Sequence, residues 1–204
     1  MFPMLHGVAN QISSGEITSP LTLYPTNDTY IRTTEGSEQS AATTLQIYKD
    51  IAKTLLLFDL SSLVGKTITA AKLSLTTSSY AGGTPNVQTF RVSNANVWLD
   101  DEALWTQRQT STSWAGSNGL MTSGTDYDST ACHAAVTVST TSETTYDLTF
   151  DSNGIAHVQD MVDGVVTNNG FVLQGDQAQF WWTSIHSVED ATESYRPKLI
   201  IEFS

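Results

Sequence analysis

The residues best suited to chemistry in this chain are its tryptophans and its carboxylates. Five tryptophans stand at 98, 105, 114, 181 and 182. A flat indole face stacks on the apolar face of a sugar ring, while amides and acids bond the sugar hydroxyls. Trp181 and Trp182 lie in AQFWWTSIHS, a strand-like run in which neighbours face opposite ways. One therefore points to the core and one outward. Trp182 shares a face with His186, and Trp181 with Ile185. Trp182, Trp181 and His186 are carbohydrate- or partner-binding candidates. Trp114, in the loop TSTSWAGSNG, joins them, open between platform and core.

The acids cluster at Asp100–Glu102, at Asp126 and Asp128, and at Glu189 and Asp190. Glycosidases set two carboxyl groups across a cleft. Here no acid sits alone in an apolar pocket pattern, and the sequence does not give the distance between any two of the acids. Hard oxygen ligands at loop ends suit calcium better. Asp28 and Glu189 are the leading pair for a structural calcium, with Asp126 and Asp128 next. DYDST lacks the glycine and distal glutamate of an EF-hand loop. The four histidines, at 6, 133, 157 and 186, form no zinc spacing. No G-x-S-x-G elbow or phosphate-cradling glycine loop occurs.

One acid stands inside an apolar run, Asp59 of LLLFDLSSLVGKTITAAKLSL. Both faces of LLLF are apolar, which predicts a strand covered on both sides. Asp59 follows it, before Ser61, Ser62 and Gly65, where a carboxylate caps a tight turn by accepting backbone N–H bonds. A change of parity near residue 70 predicts a turn end or a bulge there.

The elements that must position these groups are short strands. LTLYP, DTYIRTT, TTLQIYK, KTLLLFDL, TAAKLSLTT, VQTFRVS, AVTVST, TTYDLTF, GFVLQG, AQFWWTSIHS and PKLIIEF are separated by turn signals. The spacing predicts one helix over residues 151–164, with Ile155, Val158, Met161 and Val162 on one face. Asp151 or Ser152 caps its start and Gly164 its end. DDEALW reads as one further turn. Strands without alternating helices define an all-β fold, an antiparallel β-sandwich with one short packed helix.

Residues 1–20 read as an extended N-terminal arm and 21–204 as the domain. Phe2, Met4, Leu5 and Val8 are too few for a core and are candidates for docking on a partner. The start carries no basic segment followed by an apolar one, so a natural start at Met1, without a signal peptide, is expected. No stretch reaches the length of a membrane span. A net charge of −12 and a pI near 4.4 oppose binding to nucleic acid. Cys132 is the one cysteine, which excludes an internal disulfide.

FDLSSLVGKTITAAKLSL resembles the signature of the DNRLRE, or disaggregatase-related, domain, which is similar to the family 96 carbohydrate-binding modules. DTYIR, VWLDDEALWTQR, GTDYD, VQDMVDGVVTNNGFVLQG and HSVEDATESYRPKLIIEF resemble further family segments in the same order. Met161 stands where the family often has tryptophan, and Val188 where arginine is common. The resemblance implies a jelly-roll β-sandwich without intrinsic catalysis, found in polysaccharide-binding, cell-surface and phage-particle proteins. Two settings follow as expectations. One is a structural or attachment protein of a phage or virus particle: a capsid decoration, fibre or tail component, assembled in host cytoplasm. Its partners would be other particle proteins, met through the arm, with surface polysaccharide and further copies of itself as additional partners. The alternative is an extracellular carbohydrate-binding module of a polysaccharide-degrading system.

Overall fold

The computed structural model describes residues 17–80, 85–138, 141–175 and 182–204. Its strands are β1 (Leu21–Leu23), β2 (Asn27–Arg32), β3 (Thr44–Tyr48), β4 (Ala52–Leu57), β5 (Ile68–Tyr80) and β6 (Asn86–Arg91). They continue with β7 (Val136–Thr137), β8 (Thr145–Thr149), β9 (Phe171–Gly175), β10 (Trp182–His186) and β11 (Lys198–Phe203). One helix, α1 (Ser152–Val162), lies between β8 and β9. All strand pairings are antiparallel.

Two layers share one strand. The first half of β5 pairs with β11 and β8, and β1 closes the edge beside β11. The last residues of β5 pair with β10, which leads through β3, β4 and β9 to β6 and β7. β2 runs the full length of β4. A strand of 13 residues is long enough to pass from one sheet to the other, and it carries the chain round a corner of the sandwich. The bulge is present: Glu202 faces Ala70 but Phe203 faces Ile68, so Thr69 is the extra residue.

Local chemistry sets the boundaries. Asp50, in left-handed conformation (φ 55°), turns β3 into β4, with Ile51 N–H donating to Tyr48 O at 3.0 Å. Asp59 is exposed, and its Oδ1 accepts from Ser61 N–H at 2.9 Å. That bond holds its carboxyl below the usual carboxylate range. Asp59 is thus a turn cap. Asp151 caps α1 by accepting from Asn153 N–H (2.8 Å) and Gly154 N–H (3.1 Å), and Gly164 leaves at φ 68°. Val158, Met161 and Val162 of α1 are buried in the core, each worth about 1.5–3 kcal/mol. Gln159 pins the helix to β5, accepting from Ile68 N–H at 2.8 Å and donating to Lys66 O at 3.1 Å. DDEALW makes only a turn, closed by Ala103 N–H on Leu99 O at 2.8 Å.

The main core, with Leu45, Ile47, Leu56, Leu73, Phe171, Ile185 and Leu199, fills the space between the layers and α1. A second cluster lies on the opposite face of β2, β4, β6 and β9. Ile31, Leu55, Phe90 and Val172 meet Trp98, Ala103, Trp114, Leu120 and Tyr127 there. Leu55 and Leu56 are adjacent and both fully buried, as the doubly apolar run requires. The connection from β6 to β7 therefore folds back as an irregular cover over this half of the sheet.

Candidate functional site

The cover is held by polar anchors. Trp98 Nε1 donates to Asn169 O at 2.8 Å, and Trp114 Nε1 donates to Leu104 O at 2.9 Å. Lys53, 2% exposed, donates to Leu120 O and lies 5.0 Å from the Tyr127 ring centroid. Asp126 is wholly buried and accepts from Gly116, Ser117 and Thr122 N–H and from Asn96 Nδ2, at 2.7–3.1 Å. Two expectations change here. Trp114 is 4% exposed, its indole consumed by packing and its N–H by a carbonyl, so it offers no platform. Asp126 has its oxygens filled by the loop it organises and has none to give a metal. Asp128 pairs instead with Arg91 Nε at 2.5 Å, and Asp160 takes Arg91 Nη1 at 3.1 Å.

The cover stops short of β3 and β10. Leu45, Ile47 and Ile185 point into the main core, so Gln46, Tyr48, Trp182 and Ser184 point away from it. Trp182 sits directly opposite Tyr48, and Ser184 opposite Gln46. Arg32, at the end of β2, reaches the same place and donates from Nη1 to Gln46 Oε1 at 3.0 Å. Arg32, Gln46, Tyr48 and Trp182 line a groove of about 130 Å³. Among the described residues, Arg32 Nε has no partner, and Glu35 lies 3.9 Å from Nη1. The groove offers an indole and a phenol ring side by side, with a guanidinium and an amide beside them. That set can stack on an apolar ring face and bond hydroxyl or carboxyl groups.

His186, at the far end of β10, does not line the groove. Its Nδ1 lies 2.6 Å from Asp190 Oδ2, and its ring lies 4.8 Å from that of Tyr195. Trp181 and the arm residues Phe2, Met4, Leu5 and Val8 lie outside the described residues. Tyr48, Gln46 and Arg32 were not singled out from the sequence. TLQIY shows their outward alternation, but the pairing that brings β10 beside β3 joins residues more than 130 apart in the chain.

Asp28 and Glu189 do come together. Asp28, 1% exposed, accepts Val188 N–H on Oδ2 at 2.8 Å. Burial first, and then the Glu189 carboxyl within hydrogen-bonding reach, push the Asp28 carboxyl well above the usual carboxylate range. Among the described residues, no three His, Cys, Asp or Glu side chains gather as a metal cluster. Cys132 and His133 serve the core: burial raises the thiol, and the imidazole stacks on Phe150 with Nε2 2.9 Å from Thr89 Oγ1.

An antiparallel sandwich with an aromatic and polar groove on one sheet face is the build of a sugar-binding module. The model of carbohydrate-binding module family 96 matches residues 19–160, well over half of the chain, and the chain belongs to that family. The match takes in Arg32, Gln46 and Tyr48 and ends within α1. No curated protein matches the chain.

Proposed function

We propose that this chain is a non-catalytic polysaccharide-binding module whose binding site is the groove of Trp182, Tyr48, Gln46 and Arg32. The observation that carries this reading is the Trp182–Tyr48 pair across β10 and β3, half-buried on the stretch of sheet face that the cover leaves open. The rings give the stacking surface. Gln46 and Arg32 give directional hydrogen bonds, and both are positioned by their own bond before a ligand arrives. Among the described residues, those that line the groove include no acid, which suits retention of a glycan rather than its cleavage.

A glycan array of neutral and acidic polysaccharides, probed with the purified chain and with Trp182→Ala, tests this. Binding to a defined class that the variant loses is the expected result. An array without any signal would sink the reading. The particle-surface setting needs an anchor as well as a groove. Residues 1–16 of its proposed anchor, the N-terminal arm, lie outside the described residues, and binding to particle proteins would be tested by deleting them from the full chain.

A further inference from the structure

The meeting of Asp28 and Glu189 leaves a chemical problem that the fold itself does not solve. Asp28 is 1% exposed, and its Oδ1 has no hydrogen-bond donor among the described residues. The Glu189 carboxyl lies within its reach, and the Asp100 carboxyl adds negative charge from the cover. Against three acids stands the single Val188 N–H bond to Oδ2. Two carboxylates within hydrogen-bonding reach need a positive charge between them, either a shared proton or a cation.

The turn that carries Glu189 is already built. Ser187 is fully buried and donates from its N–H to Thr43 O at 3.1 Å. Its Oγ accepts from Glu189 N–H at 3.1 Å, and its carbonyl accepts from Asp190 N–H at 3.3 Å. Arg196 Nε donates to Asp190 O at 2.8 Å. Asp28 is fixed in β2 opposite Leu56. Glu189 is exposed, which gives a small ion a way in from solvent.

We propose that Asp28 Oδ1 and the Glu189 carboxylate are two direct ligands of a calcium ion that ties β2 to the β10–β11 turn. Asp100 adds charge to the site, and main-chain oxygens and water complete the shell. An all-oxygen site with two carboxylates suits calcium, which accepts irregular shells of 6–8 oxygens. Magnesium sheds water reluctantly and demands a strict octahedron. Among the described residues, no histidine or thiol gathers with the pair to favour zinc or copper.

The test is calorimetric titration of calcium into the EDTA-treated full chain at pH 8, paired with melting curves, for wild type, Asp28→Asn and Glu189→Gln. Asn at position 28 keeps an acceptor for Val188 N–H. Glu189→Gln changes an exposed residue and serves if the first variant does not fold. The expected result is saturable calcium binding and a rise in Tm of about 5–10 °C at calcium a hundredfold above its Kd, both lost in the variants. Binding that persists unchanged in a folded variant would place the ion elsewhere on the acidic surface and overturn the proposal. No heat and no Tm shift at millimolar calcium would also overturn it and leave a shared proton as the occupant.

Discussion

Lys53 anchors the cover that bounds the groove, and its burial gives a pH dependence that can be worked out in advance. Its ammonium is enclosed between β4 and the cover, on the Leu120 carbonyl and near the Tyr127 ring. Burial pulls its pKa from 10.5 down to about 8, and the charges of Asp50 and Asp126 only partly oppose this. That gap corresponds to about 3 kcal/mol of burden on the protonated folded state. The unfolded chain keeps this proton up to pH 10.5, whereas the folded chain releases it near pH 8. Between those values the unfolded state binds more protons, so stability rises with pH, by at most about 1.4 kcal/mol per pH unit. Below pH 8 both states are protonated and the burden is constant. Lys53→Met removes the charge but leaves Leu120 O without its donor, at a cost of about 1–3 kcal/mol. The two effects nearly offset at pH 7. Urea unfolding of wild type and variant at half-unit steps from pH 7 to 10.5 isolates the lysine, because other titrating groups cancel in the difference. The wild type should gain about 2–3 kcal/mol on the variant across this range. Parallel curves would refute the reasoning.

Two further substitutions probe the frame of the site. Gly170 opens β9 at φ 70°, and a Cβ there would meet Leu56 O at 2.1 Å. Gly170→Ala should therefore lower Tm by about 5–15 °C in a thermal melt, from left-handed strain and a clash with backbone that cannot yield. Asp126→Ala removes the carboxylate that accepts from Gly116, Ser117 and Thr122 N–H and from Asn96 Nδ2, while Asn96 keeps its bond to Asp126 O. A loss of about 1–3 kcal/mol is expected, with amide-exchange protection falling first at residues 116–122.

Local features were the most legible in the sequence. Asp59 and Asp151 act on N–H groups two or three residues away, so type and spacing were enough to find them. The doubly apolar LLLF run announced a strand covered on both faces, but not what covered it. The cover has no hydrophobic period. Trp98, Trp114, Leu120 and Tyr127 reach one cluster through turns held by side-chain bonds to backbone, which no 2.0 or 3.6 repeat records. For the same reason the sequence left Trp114 open between platform and core and offered Asp126 as a calcium ligand. Alternation said that one of Trp181 and Trp182 faces outward without choosing between them. The companions of Trp182 in the groove came only with the pairing of β10 and β3, a contact fixed by tertiary structure.

The central claim is that the groove between β3 and β10 binds sugar. Isothermal titration of the best glycan from the array into wild type, Trp182→Ala and Tyr48→Ala, with melting curves as a fold control, tests it most directly. Each aromatic deletion should weaken binding at least about tenfold while leaving the chain folded. Unchanged affinity in both folded variants would contradict the assignment.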